Sequence, residues 1–68
     1  MDKELVLKNN VKQVRLEMKL SQEELARLTS TTRQTIIAIE KGTFSPTAKL
    51  ALLLCLALNK KFEELFYF

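Results

Sequence analysis

The sequence has no histidine, no tryptophan, one cysteine (Cys55), one glycine (Gly42) and one proline (Pro46). Each scarcity excludes something. A lone cysteine cannot close an intramolecular disulfide, and without histidine a protein-built zinc or redox centre lacks its usual donors. Catalysis centred on His or Cys falls for the same reason. A single glycine leaves no glycine-rich loop to cradle phosphate, and no nucleophile-base pair is visible. Neither a cofactor nor a metal is expected, and an enzyme is not.

Long hydrophobic runs are also missing. The most apolar stretch, Leu50 to Leu58, is roughly half the ~20 residues that span a bilayer. Met1-Asp2-Lys3-Glu4 leads into no apolar signal region. The expectation is a soluble cytoplasmic protein without a membrane partner. The 68 residues suffice for one domain over positions 1–68, with one small core. Domains this short bury a modest share of their surface and need support. With disulfides excluded, self-association is the expected support.

What is present is mostly helical signal. Val11, Val14, Arg15 and Met18 follow the i, i+3, i+4, i+7 pattern of an amphipathic helix. A first helix is therefore expected from Asn9 to Lys19, with Arg15 on its apolar face and in need of a partner. Ser21-Gln22-Glu23-Glu24 fits a capping box, with Leu20 just before it. It opens a second helix, Gln22 to Leu28, with Leu25, Ala26 and Leu28 turned inward. Thr29-Ser30-Thr31-Thr32 then offers four hydroxyls that favour local backbone bonds over a continued helix.

Thr32 suits the cap of a third helix, Arg33 to Lys41, which Gly42 ends. Ser45-Pro46-Thr47 makes a turn, and Thr47 caps a fourth helix, Ala48 to Leu58, which Asn59 terminates. Phe62 to Phe66 forms a fifth, single-turn helix. The fold class is all-α, five helices in one small core. The apolar ends Leu5-Val6-Leu7 and Phe66-Tyr67-Phe68 are rich in strand-favouring residues. They either pair as a short two-stranded ribbon or fray.

The unit from about 21 to 41 carries the functional signal: a short helix, a hydroxyl-rich turn and a second helix. Helices joined so closely cross steeply, and one face of the second is projected outward. Ile36, Ile39 and Glu40 lie on one side of that helix, and Gln34, Ile37, Ala38 and Lys41 on the other. Arg33, Gln34 and Thr35 form its first turn. Arg can donate two bonds to guanine O6 and N7, and Gln can pair with adenine N6 and N7. Ala38 is small enough for close approach to a groove, and its methyl or Ile37 could touch thymine. Taken singly, an Arg or Gln on an exposed helix turn is more often merely solvated, Thr32 more often only a cap, and Lys41 only a partner for the helix dipole. The net charge of +3 adds little by itself. From Arg27 to Lys61, however, the charges are basic apart from Glu40, which places a phosphate-facing surface mid-chain.

The stretch LSQEELARLTSTTRQTIIAIEKG, Leu20 to Gly42, strongly resembles the Cro and phage-repressor type of helix-turn-helix, the XRE family. The pattern continues through Ser45-Pro46-Thr47, Asn59 and Phe62-Glu63-Glu64-Leu65-Phe66, covering residues 9 to 66. Within the family the chain most resembles short bacterial regulators without an effector domain. The resemblance implies double-stranded DNA as partner and a repressor-like transcriptional regulator. Gln22 then matches a residue contacting backbone phosphate and often an outer base. Thr32, Arg33, Gln34, Thr35 and Ala38 match positions facing the major groove, with Ile37 beside them where many members have a polar residue; Thr32 also contacts phosphate. Lys41 and Thr43 match the loop that binds phosphate beyond the recognition helix. Arg15 and Glu40 match a buried salt bridge. The chain departs from the family at Thr29-Ser30-Thr31, where Leu-Gly-Val is usual; Ser30 must take a left-handed backbone conformation if the turn is kept.

The fourth helix is apolar all round, so it is buried on more than one side. Leu53 and Leu56, with Phe62, Leu65, Phe66 and Phe68, are the expected surface of a two-fold homodimer. The bland alternative is that Phe62, Leu65 and Phe66 only close the monomer core. Cys55 reads as a small buried residue with no basic neighbour to make it reactive. A protein-interaction module, such as an antitoxin-like adaptor, is the rival function. No small-molecule ligand is indicated.

Overall fold

The computed structural model describes residues 5–68. Met1 to Glu4, where no apolar leader is expected, lie outside the described residues. The order of elements is β1 (Lys8–Asn9), α1 (Val11–Glu17), α2 (Gln22–Leu28), α3 (Arg33–Lys41), α4 (Ala48–Leu58), α5 (Phe62–Leu65) and β2 (Phe66–Tyr67). Five helices thus surround one core, and the two short strands close the chain.

Local chemistry sets each helix end. α1 starts later than its periodicity suggests, because Asn9 is used elsewhere: its Oδ1 accepts the Val11 N–H at 3.1 Å. α1 stops after Glu17, and Lys19 turns the chain with φ 59. Leu20 N–H then closes onto the Arg15 carbonyl at 3.1 Å. α2 opens on the full capping box, Glu24 N–H to Ser21 Oγ at 2.9 Å and Ser21 N–H to Glu24 Oε1 at 2.7 Å. Thr32 caps α3 through the Thr35 N–H at 3.2 Å, and Thr47 caps α4 through the Leu50 N–H at 3.2 Å. Gly42 (φ 80) and Asn59 (φ 53) end those two helices in the left-handed region, as their types favour.

The turn between α2 and α3 is built from its hydroxyls. Thr29 is buried, and its Oγ1 donates to the Leu25 carbonyl at 2.8 Å. Ser30 adopts φ 55, the left-handed geometry normally left to glycine. Thr31 N–H returns to the Ala26 carbonyl at 2.9 Å. Leu28, expected inside, is instead 59% exposed. Thr29, four residues after Leu25, takes the inward position that Leu28 was expected to fill.

The core joins Val11 and Val14 of α1, Leu25 and Ala26 of α2, Ile36 and Ile39 of α3, and Ala51, Leu54, Cys55 and Leu58 of α4. Leu65 and Phe66 seal its base. A ribbon does pair the chain ends, but two residues further in than Leu5-Val6-Leu7: Lys8 faces Tyr67 and Asn9 faces Phe66, antiparallel. Asn10 reinforces it, with its backbone N–H on the Leu65 carbonyl at 2.8 Å and its side chain on the Glu64 carbonyl at 3.1 Å. No helix among the described residues is long and apolar enough to cross a membrane.

Candidate nucleic-acid interface

Two constraints aim α3. Ile36 and Ile39 are completely buried, so their side of the helix is fixed against α1 and α2 within the shared core. The opposite side must then face outward. Helical spacing puts Gln34, Ile37, Ala38 and Lys41 there, with Arg33 and Thr35 on its flanks. Arg33, Gln34 and Lys41 are exposed, and Thr35, Ile37 and Ala38 are half-buried. No carboxylate lies on this side of the helix.

The second constraint is a buried ion pair. Arg15 Nε donates to Glu40 Oε2 at 2.7 Å and Nη2 to Oε1 at 3.2 Å. Arg15 Nη1 also donates to the Leu20 carbonyl at 2.8 Å. One guanidinium therefore ties α1 to the C-terminal end of α3 and to the loop entering α2. Both side chains are almost fully buried, 7% and 4% exposed, and every buried side-chain polar atom among the described residues has a partner. Such a pair adds little net stability, yet removing one member strands a charge.

The residues singled out from sequence take the following places. Gln22 opens α2, half-buried, and its Nε2 donates to Glu40 Oε1 at 3.1 Å. Together with Arg15, Ser21, Glu23 and Arg33 it lines an open cleft beside the start of α3. Thr32 and Thr35 share a hydroxyl-hydroxyl bond of 3.0 Å at the first turn. Thr43 is exposed just past α3, and its hydroxyl donates to the Ala38 carbonyl at 3.2 Å. Lys41 lies in the last turn, favourably placed for the helix dipole.

Two roles escaped the sequence reading. The Gln22–Glu40 bond joins residues 18 apart that no local pattern connects. Asn9 Nδ2 donates to the Ile39 carbonyl at 2.9 Å, so a residue of β1 that also accepts the first N–H of α1 ties off the last turn of α3. The only signal was an Asn pair ahead of the first apolar residue of α1, which suits a cap but names no distant partner.

The apolar surface of α4 and α5 differs in detail from the expected one. Leu56 is 79% exposed, and Leu52, Phe62 and Phe68 are also exposed, while Leu53 is half-buried and lines a separate hollow with Thr29, Ser30 and Thr31. Leu65 and Phe66 do not belong to that surface: both side chains are spent in the chain's own core, as the alternative had it. Their burial follows from the ribbon, which draws β2 down beside β1. Phe62 stacks on Phe66 with centroids 5.2 Å apart. An open groove between α4 and α5 is lined by Leu52, Cys55, Leu56, Asn59, Lys60 and Glu64 among others. Burial pushes the Cys55 thiol up from its usual value, away from the reactive thiolate.

A helix-turn-helix family model matches residues 11–65, from the first residue of α1 to the last of α5. The chain belongs to the XRE-type helix-turn-helix family. That family binds double-stranded DNA and regulates transcription, so the domain is a DNA-binding transcriptional regulator. It is 44% identical over 61 residues to the uncharacterized HTH-type transcriptional regulator YgzD of Bacillus subtilis, covering 90% of this chain and 92% of the relative. An uncharacterized HTH-type transcriptional regulator of Methanocaldococcus jannaschii is 42% identical over 62 residues, covering 91% and 94%. Among solved structures, the restriction-modification controller protein C.AhdI of Aeromonas hydrophila superposes with a TM-score of 0.76 at 29% identity, over 81% of this chain and 80% of that one. A putative DNA-binding protein of Bacteroides fragilis shares the fold, with a TM-score of 0.81 at 20% identity over 90% and 98%.

Proposed function

We propose that this helix-turn-helix protein is a sequence-specific transcriptional repressor that binds a near-palindromic operator as a homodimer. The observation that carries the reading is the outward face of α3. Its inward face is locked by Ile36, Ile39 and the Glu40 ion pair, which leaves Arg33 and Gln34 exposed in the first turn with Ala38 and Ile37 behind them. Set into a major groove, Arg33 and Gln34 supply bidentate base contacts, each supporting about 1–3 kcal/mol of discrimination. Thr35, Ala38 and Ile37 add close contacts. Gln22, Thr32, Lys41 and Thr43 flank them and hold the phosphate backbone, with Gln22 also reaching an outer base.

The homodimer reading rests on the α4–α5 surface. Leu52 and Leu56 lie exposed along one side of α4 and line its groove with α5, with Phe62 exposed at the start of α5, and apolar surface gathered in this way supports a contact with another chain. Lys60 and Lys61 sit beside Glu63 and Glu64, so a two-fold copy can oppose each pair to its opposite charge. Leu53, half-buried, and Phe68, exposed, complete the proposed contact surface. Such a dimer presents two α3 helices about 34 Å apart, one turn of DNA. Repression then follows from occupancy of a promoter.

Selection of bound sequences from a random duplex pool tests the reading, with Arg33→Ala combined with Gln34→Ala as the comparison. The expected result is a two-fold-related motif that the double variant loses or alters. Failure to enrich any sequence, even at low salt where phosphate contacts are strongest, contradicts it.

A further inference from the structure

The Arg15–Glu40 pair is complete without a third partner. Two guanidinium N–H groups already reach the two carboxylate oxygens, Nε to Oε2 at 2.7 Å and Nη2 to Oε1 at 3.2 Å. The Gln22 amide is nevertheless held on Oε1 at 3.1 Å. This bond neither balances charge nor rescues an orphaned atom of Glu40.

Its effect is on Gln22. A carboxylate paired with Arg15 has no proton to donate, so only the NH2 side of the amide can face it. Rotating the amide by half a turn would set its carbonyl oxygen against the carboxylate. An exposed glutamine normally samples both orientations, and this one cannot. One Nε2 proton is spent on Glu40, and one N–H donor and the carbonyl acceptor remain. Gln22 lines the cleft that it shares with Ser21, Glu23 and Arg33. A phosphate oxygen can use only the donor. A base edge that offers both a donor and an acceptor, such as adenine N6 and N7, can use the pair.

We infer that Glu40 is a positioning residue for DNA recognition: it fixes the Gln22 amide so that one donor and one acceptor face the duplex. This rests on reading α2 and α3 as the DNA interface. Glu40 itself touches no base, being buried on the inward side of α3 with its side chain 4% exposed. Arg15 supplies the countercharge that allows a carboxylate to do this beside a polyanion.

The test is a double-mutant cycle on DNA affinity with Gln22→Ala and Glu40→Gln. The probes are the duplex most enriched by the unaltered protein and an unrelated duplex of the same length. Glu40→Gln keeps shape and an acceptor for Arg15, but its amide can meet Gln22 in either sense. Affinity for the enriched duplex is expected to fall about tenfold, within the usual range for coupled neighbours, and the unrelated duplex to be affected less. In the Gln22→Ala background, Glu40→Gln should add no further loss. Equal losses in both backgrounds, or on both duplexes, overturn the proposal and leave Glu40 a structural residue only. If the Glu40 variant does not fold, the unaltered protein still decides by NMR. One Nε2 proton of Gln22 should exchange with water more slowly than those of the exposed Gln13 and Gln34; exchange as fast as theirs overturns the lock. Absence of any enriched sequence defeats the DNA-interface reading itself, whereas enrichment with additive losses defeats only the role of Glu40.

Discussion

The hydroxyl of Thr29 donates to the carbonyl of Leu25 at 2.8 Å from a position that is 1% exposed. A polar side chain has thus been accepted into the core beside the helix-turn-helix bend without leaving an unpaired group. The neighbouring Ser30 is less well matched, since φ 55 crowds its Cβ.

Ser30→Gly is therefore expected to stabilise the protein. Relief of left-handed strain, partly offset by the greater freedom of glycine when unfolded, nets about 1 kcal/mol. In a domain of this size that raises the melting temperature by about 4–8 °C. Ser30→Ala, which keeps the Cβ, should not. Thermal unfolding of the two variants distinguishes them.

Arg15→Ala should be far more damaging. It strands the buried Glu40 carboxylate and frees the Leu20 carbonyl, at a cost of about 3–5 kcal/mol. A domain this size holds only about 3–10 kcal/mol in total. Urea unfolding should show a large loss or no folded baseline, and a cost below about 1 kcal/mol would mean that the pair is not buried in solution.

Glu24 gives a pH dependence with a definite sign. The Ser21 backbone N–H, and then its hydroxyl, hold the Glu24 carboxyl below its ordinary value of 4.5. A carboxyl whose pKa is depressed by folding contributes stability that is fully present above the unfolded value. That contribution is lost as pH falls through the folded one. Stability measured from pH 6 downward should hold to about pH 4.5 and then fall, and the step should be smaller in Glu24→Gln.

The dimer reading predicts that Leu56→Asp gives a folded monomer. Leu56 is 79% exposed and contributes nothing to the chain's own core, so the charge should leave helicity intact while abolishing self-association. Light scattering with circular dichroism checks both. An unaltered protein that is already monomeric at micromolar concentration contradicts the reading.

Much of this was legible in the sequence because the signals are local. Ser21, Thr32 and Thr47 each cap the helix that their type and position suggest, and Gly42 and Asn59 each close one. The outward residues of α3 followed from where Ile36 and Ile39 had to point. What was not legible depends on long-range contacts. The strand partner of Phe66 is Asn9 and not the more apolar Leu5-Val6-Leu7 segment, because Asn9 and Asn10 are fastened to α3 and α5 by their side chains. For Leu65 and Phe66 the sequence left a dimer surface and the chain's own core both open, and they lie in the core. Leu28 yielded its place to Thr29 because a threonine can satisfy its own hydroxyl within the helix. The Gln22–Glu40 bond needs the crossing of α2 and α3, which no spacing along the chain reports.

The central claim is that α3 reads DNA bases. Backbone amide shifts followed by NMR during titration with the enriched duplex test it most directly. The account predicts the largest changes from Thr32 to Ala38, with further changes at Gln22 and from Lys41 to Thr43, and little change on α4 beyond any dimer contact. Changes concentrated on Leu52, Leu56 and the α4–α5 groove, with Arg33 and Gln34 undisturbed, would contradict it.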